Sequence, residues 1–248
     1  AAAPLILSDR RLAEPWHRLL TSREHDPRRT MIAGKRGALV GMGMTERQGG
    51  SDVRANVTSA TPEGDGRYRI HGHKWFLSVP VSDAFLVTAQ APGGLSCFFV
   101  PRLTDQGMHN GLCILRAKDK LGDRSNASAE VELRDARGLL LGEEGRGLAT
   151  ILEVANHTRR DCASASAGIA RAALAEAMHH AQWRSAFGKR LVDQPLMTNV
   201  LADLALEVEG QVALTMYVAG LVDRAADDED AAVLARLLTP AAKYWICK

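Results

Sequence analysis

The feature that most constrains this chain is a change of period at Gly142-Glu143-Glu144-Gly145-Arg146-Gly147. Before it, "RYRIHGHKWFLS", "AFLVTAQA", "LSCFFVPR" and "ASAEVELRD" alternate or are β-branched, with Asp65-Gly66 and Pro92-Gly93-Gly94 as turns between them. Short strands at this spacing predict a barrel or sandwich over 37–141. Beyond it, Leu148 to about Ser185 is rich in alanine and nearly free of breakers, as a long helix requires. A second helix is expected from Asp193-Gln194-Pro195, with Asp193 as N-cap, because proline and carboxylates suit a first turn. Its Met197, Leu201, Leu204, Val208, Val212, Met216 and Ala219 recur at threes and fours, a stripe predicted to pack between helices. A third helix starts among Asp227 to Asp230, so 142–248 reads as an antiparallel bundle. It runs to Tyr244-Trp245-Ile246-Cys247-Lys248 without a Gly or Pro terminator, and more chain is expected to follow.

At 248 residues and 46% hydrophobic, the chain can bury one large core or two modest ones. No uninterrupted apolar run approaches the roughly 20 residues of a bilayer crossing. The opening "AAAPLILSDR" lacks the basic start and long apolar part of a signal peptide. A cytoplasmic protein with no membrane partner is therefore expected. Cys97, Cys113, Cys162 and Cys247 are scattered without a CxxC pair, which suggests reduced packing thiols and neither a zinc ribbon nor a disulfide frame. The formal net charge of +2 is no nucleic-acid signature, although residues 1–50 carry nine basic side chains against five acidic ones.

The richest local signal is "MTERQGGSD", Met44 to Asp52. Adjacent glycines let backbone amides approach a ligand, so Gly49-Gly50-Ser51 can form a row of N–H donors for an anion such as a pyrophosphate. It is a cradle without a lysine: no Gly-Lys-Ser/Thr occurs, and no complete GxGxxG follows a strand and opens a helix. A Gly-Gly-Ser-Asp stretch alone is more often simply a turn. Glu46 is expected to fix this loop by accepting backbone N–H bonds rather than to act as a catalytic acid. His71-Gly72-His73 lacks a third ligand, and His179-His180 point apart on a helix, so no metal site is expected. Arg23, Arg28, Arg29, Lys35 and Arg36 read as a solvated basic face, since acids interrupt the run and no aromatic platform accompanies it.

Several ordered motifs extend the signal. "GMGMTERQGGSD", "GHKWFLS", "KDKLGDRSN", "GEEGRGL" and "RSAFGKRLVDQPLM" together resemble the acyl-CoA dehydrogenase family over about 200 residues. Within it, "MTERQGGSDV", "DKLGDRSNASAEVE" and "TPAAKYWICK" are most similar to the alkylation-response, AidB-like branch. The resemblance implies an α+β multidomain fold: an N-terminal helical domain, of which 1–36 is a remnant, a middle β-barrel domain at 37–141, and a truncated helix bundle at 142–248.

The resemblance also implies FAD. Met42 to Ser51 would lie along the flavin, with Met44 and Thr45 at the pyrimidine edge and Gly50 and Ser51 at the pyrophosphate. Phe76, Leu77 and Ser78 would set an aromatic against the ring and a hydroxyl near N5, where many relatives have Trp and Thr. Arg184 and Phe187 match the family's Arg-x-x-Phe-Gly, which reaches the FAD of a neighbouring subunit, so a homo-oligomer, dimer or tetramer, with shared sites is implied. Gln194 falls one place from a family adenine-binding glutamine, with Pro195 at the matching position.

In the family a carboxylate removes the α-proton of an acyl thioester while the β-hydride goes to the flavin. Where a minority of members carry that base on the first bundle helix, this chain has Thr158, so the base is expected beyond Lys248. Arg159 matches an arginine near the acyl-CoA pocket. The implied activity is α,β-dehydrogenation of an acyl-CoA. The alternative is a DNA-associated flavoprotein of the alkylation response, binding DNA through a segment outside this chain and dehydrogenating feebly.

Overall fold

The computed structural model describes residues 2–248, and the chain divides after Val154 into two compact units. In the first, seven strands form one mixed sheet: β1 (Val40–Gly43), β2 (Ser59–Gly64), β3 (Arg67–Ser78), β4 (Ala84–Ala91), β5 (Gly94–Pro101), β6 (Leu112–Ala117) and β7 (Ser128–Leu141). β1 runs parallel to β4, and β2 meets β4 in parallel at Ser59 and Gln90. The remaining pairs are antiparallel. Pairing that leaves β4 through β2, β3, β7 and β5 returns to β4.

β4 is buried on both faces, and its alternation sorts side chains between two cores. Phe85, Val87 and Ala89 join Ile70, Leu77, Phe98, Val131 and Leu133 on one side. Ala84 and Leu86 face the other with Cys97, Phe99 and Leu141. That second core is closed by two helices, α1 (Ala3–Ser8) and α2 (Arg10–Leu20), and by Ile151 and Val154. α2 forms because the Asp9 carboxylate accepts from the Arg11 N–H at its start and because Leu12, Trp16 and Leu19 share one face. Trp16 meets Phe99 edge-on with ring centres 4.9 Å apart.

Two expectations are corrected here. β7 continues past Asp135 to Leu141: Asp135 adopts φ 54° at an irregularity, and the strand then resumes pairing with β3 and with β5. The basic run near the N-terminus is solvated at Arg23, Arg28, Arg29 and Arg36, and departs from the expected exposed face only at Lys35. Lys35 is buried, with its ammonium 2.5 Å from Asp83, and Arg28 and the Arg36 N–H are both held by the buried Asp26 carboxylate. The Lys35–Asp83 pair ties this segment to the sheet domain, while the Asp26 contacts are local to it.

α3 (Gly147–Trp183) begins where the period changes. In the second unit it is followed by a small hairpin, β8 (Ser185–Ala186) and β9 (Lys189–Arg190), then by α4 (Pro195–Arg224) and α5 (Glu229–Ile246). Ala163 and Ala167 of α3, Val218 of α4, and Ala242 and Ile246 of α5 form a core in which small residues let the helices approach. α5 is capped by Asp228, whose carboxylate accepts from the Ala231 N–H.

Asp193 does not cap α4. Pro195 drives the residue before it into extended conformation, so Gln194 occupies the cap position, and Asp193 instead pairs with Arg190. The predicted stripe is also only partly internal: Leu201 is buried, whereas Leu204 and Met216 are 47% and 66% exposed. The buried face runs through Leu201, Gln211, Val218 and Leu221, because α4 is apolar on more than one side and its neighbours cover one. For the same reason α4, alone among the described residues, is long and apolar enough by length and composition to cross a membrane. Asp203, Glu207 and Glu209 lie along it, so it is not an uninterrupted apolar run.

Candidate cofactor site

The strands bring together two of the segments singled out in the sequence. β1 lies so close to the end of β3 that a Cβ on Gly41 would sit 2.2 Å from the Ser78 carbonyl oxygen, so only glycine permits the approach. The Trp75 N–H then donates to the Thr45 carbonyl at 2.8 Å, continuing the contact into the loop. Met42 and Met44 pack against the second core, and Leu77 is buried in the first, so Leu77 offers a ligand only its backbone. Phe76, by contrast, is 41% exposed. Gly50 folds back on Thr45, where a Cβ would fall 2.9 Å from the threonine hydroxyl.

One carboxylate holds this loop. Glu46, 3% exposed, accepts from the Val57 N–H at 2.8 Å, the Thr58 N–H at 3.2 Å, the Thr58 hydroxyl at 2.5 Å and the Lys74 ammonium at 2.7 Å. Burial alone would raise its pKa, and the bonds from Lys74 and Thr58 outweigh that, leaving it below the usual carboxylate range. Lys74 has no exposed surface, and desolvation holds its ammonium below the ordinary lysine value despite Glu46. The expected loop-fixing role of Glu46 is therefore seen, with a partner that the sequence reading missed. The signal was present: Tyr68, Ile70 and Lys74 share the inward parity of β3, so a lysine fell on a core position and required a buried acid.

What this arrangement offers is a set of free donors. Among the described residues the hydroxyls of Thr45, Ser51 and Ser78, and the main-chain N–H groups of Gly50 and Ser51, bond to no protein atom. Beside them is a cationic rim. The Lys118 ammonium stands 3.3 Å from the centre of the Trp75 ring and 4.6 Å from that of Phe76, and Arg47 lies 5.5 Å from Trp75. The buried Glu130 accepts from Arg116 and Lys118, whose bonds depress its carboxyl to about 2. Such a surface suits an anionic, planar, hydrogen-bonding ligand.

The remaining candidates lie in the second unit. Arg184 directly follows α3, and its guanidinium bonds to no described residue. Phe187 is at the tip of the hairpin, 99% exposed, with φ 54°. Gln194 donates its amide to the Ala186 carbonyl at 3.0 Å, bracing the hairpin. Arg159 donates to the Asn156 side chain at 2.8 Å on α3. Among the described residues no three His, Cys, Asp or Glu side chains gather as a metal site. Two hollows lie elsewhere: one of about 230 Å³ lined by Arg160, Asp161 and Asp223, and a more open one of about 540 Å³ beside Arg54, Gln90 and Arg146. Neither is lined by residues of the 42–51 or 76–78 segments.

A mixed sheet domain followed by long packed helices, with free amides and hydroxyls clustered at a glycine loop, defines a two-unit α+β protein with a surface suited to an anionic ligand. The acyl-CoA dehydrogenase middle domain matches residues 41–136, and the C-terminal domain of the same family matches 145–248. This chain belongs to the acyl-CoA dehydrogenase family. It is 52% identical, over its whole length, to AidB of Escherichia coli (strain K12), whose name places it among the acyl-CoA dehydrogenases, and 32% identical over 94% of its length to acyl-CoA dehydrogenase family member 11 of Caenorhabditis elegans. It covers 46% and 40% of those two proteins, and so spans less than half of either. Among solved structures, C. elegans ACDH-11 in complex with C11-CoA superposes with a TM-score of 0.83 at 30% identity, covering 97% of this chain and 42% of that one. Butyryl-CoA dehydrogenase of Megasphaera elsdenii gives 0.69 at 26% identity, covering 83% and 55%. Membership implies FAD as the cofactor. The residues fit it: hydroxyls and amides without protein partners are hydrogen-bond donors for a pyrophosphate and a ring edge, and Phe76 presents an exposed aromatic face.

Proposed function

We propose that this chain is the flavin-holding part of an FAD-dependent oxidoreductase acting on an acyl-CoA or related thioester. The observation that carries it is the convergence of Thr45, Gly50 and Ser51 with Phe76 and Ser78 around donors that no protein atom uses. Gly50 and Ser51 are assigned to the pyrophosphate, Met44 and Thr45 to the pyrimidine edge, and Phe76 and Ser78 to the ring and its N5 side. Met42 and Leu77 contribute backbone. FAD, when bound, supplies the hydride acceptor; the residues described here bind and orient it. The thioester assignment draws on the C11-CoA held by ACDH-11, and Arg159 is the substrate-side candidate.

We assign Arg184 and Phe187 to the cofactor of a second copy. An aromatic ring 99% exposed, held on a hairpin that follows an unpaired guanidinium, supports that assignment. Gln194 supports that hairpin rather than touching adenine. The returning strand pairing supports a small barrel over 37–141, between a helical remnant at 1–36 and a bundle at 142–248. Four free thiols, with none bridged, favour a reducing, cytoplasmic setting.

The test is spectroscopic. Purified full-length protein should carry a flavin absorption band that bleaches without oxygen on addition of an acyl-CoA from a graded chain-length panel. A colourless protein that takes up no FAD would overturn the reading; a yellow protein that no thioester bleaches would keep the cofactor and refute the reaction. Ser51→Asp, which sets a carboxylate against the pyrophosphate, should lower FAD retention at least about tenfold.

A further inference from the structure

Resting on the flavin reading above, we infer that Lys74 is a positioning residue for the cofactor: its buried ammonium locks Glu46, and Glu46 fixes the loop that presents Thr45, Gly50 and Ser51. Glu46 draws its four hydrogen bonds from two separate segments, the approach to β2 at Val57 and Thr58 and the middle of β3 at Lys74. Three of those donors are neutral; Lys74 alone brings charge. The lysine stem runs beneath β1, where a Cβ on Gly43 would lie 3.5 Å from its Cγ. The ion pair therefore sits under the strand and the loop together.

Stability alone is a poor explanation for the pair. Two well-packed apolar side chains of similar volume usually serve a core as well as a buried ion pair does. An ion pair differs in being directional, because its geometry dictates where the carboxylate stands. The neighbours show what that direction fixes. Trp75, next to Lys74, donates to the carbonyl of Thr45, next to Glu46. The Glu46 carbonyl accepts from Gly49 N–H, setting the turn that leads into Gly50 and Ser51. Asn56, beside Val57, donates to the Met44 carbonyl and accepts from Gln48. Every residue from Met44 to Gly49 except Arg47 is thus tied through main chain or side chain to this cluster. Remove the ammonium and a buried carboxylate remains that must take up a proton or turn outward. Either response releases the loop.

The test compares full-length wild type with Lys74→Met, Lys74→Arg, Thr58→Val and a control, Asn110→Ala. Asn110 is a buried amide bonded to Pro101 and Arg137 and not to the loop. Two readouts are taken: the dissociation constant for FAD with the shape of the bound flavin's visible band, and amide exchange at residues 47–52 in the flavin-free protein. Lys74→Met should weaken FAD binding about tenfold or more and speed that exchange. Lys74→Arg should restore part of both. Asn110→Ala should lower the melting temperature and leave both unmoved, separating positioning from general stability. Should Lys74→Met not fold, Thr58→Val, which removes one donor to Glu46, should weaken FAD binding about threefold. Wild-type affinity and exchange in a folded Lys74→Met, or in Thr58→Val where the first does not fold, would overturn the inference. A wild type that takes up no FAD would overturn the flavin reading instead, and the two failures are told apart because loop exchange still reports on Lys74.

Discussion

Val79 follows Ser78 with φ 49°, and a β-branched side chain in the left-handed region is a true outlier. The chain needs that conformation: the Val79 N–H donates to the Ala127 carbonyl and its own carbonyl accepts from Ser82, turning β3 sharply toward β4. Such a residue costs about 1–2 kcal/mol, and asparagine tolerates the region better. Val79→Asn should therefore raise unfolding free energy by about 1 kcal/mol, read from denaturant midpoints at constant slope. Glu130 provides a second residue-level expectation. Its folded pKa of about 2 lies below its ordinary 4.5, so its contribution is present above about 4.5 and is lost as pH falls toward 2. Glu130→Gln should flatten the loss of stability across that window, measured as midpoints against pH. An unchanged acid slope would show that Arg116 and Lys118 do not depress this carboxyl.

Among the elements, the β8–β9 hairpin sets stability against function. Its turn places Phe187 and Gly188 at φ 54° and 75°, a geometry that favours Asn-Gly and strains phenylalanine. Phe187→Asn should raise the hairpin's local stability by up to about 1 kcal/mol, seen as slower amide exchange, while FAD retention falls. A gain in both would remove the ring from the cofactor site. The elements also show what a sequence can and cannot disclose. β3 and β4 were legible to the residue because β3 alternates over most of its length, β4 is a short run apolar on both faces, and Gly, Pro and Asp punctuate both ends. α3 was legible from Leu148, one residue inside its observed start, because the run that follows is rich in alanine and nearly free of breakers. The extension of β7 was hidden, since Asp135 looks like a turn and continues the strand only through its tertiary pairing. Which side of α4 is covered was hidden too, because periodicity marks apolar positions without saying which neighbour meets them. The Glu46 to Lys74 lock was half visible: parity put Lys74 inside, but a separation of 28 positions along the chain concealed its partner.

At the scale of the whole molecule, the assignments make cofactor retention a property of the assembly. On those assignments one copy would supply the loop 42–51 and residues 76–78, and a second the hairpin with Arg184 and Phe187. A ligand held by two chains binds the assembled form and stabilises it by mass action, so dissociation of the assembly and release of flavin are linked equilibria. Each should shift the other by the same factor. Serial dilution of the flavin-loaded, full-length protein should then release FAD over the concentration range in which sedimentation shows the assembly dissociating, and added FAD should move that range to lower protein concentration. Arg184→Ala, which removes a charge-assisted contact to phosphate, should move both curves together to higher protein concentration by about tenfold or more. Flavin that stays bound to monomers throughout dilution would place the whole cofactor site within one chain, and an Arg184→Ala protein that kept both curves in place would strip the hairpin of its role in the site.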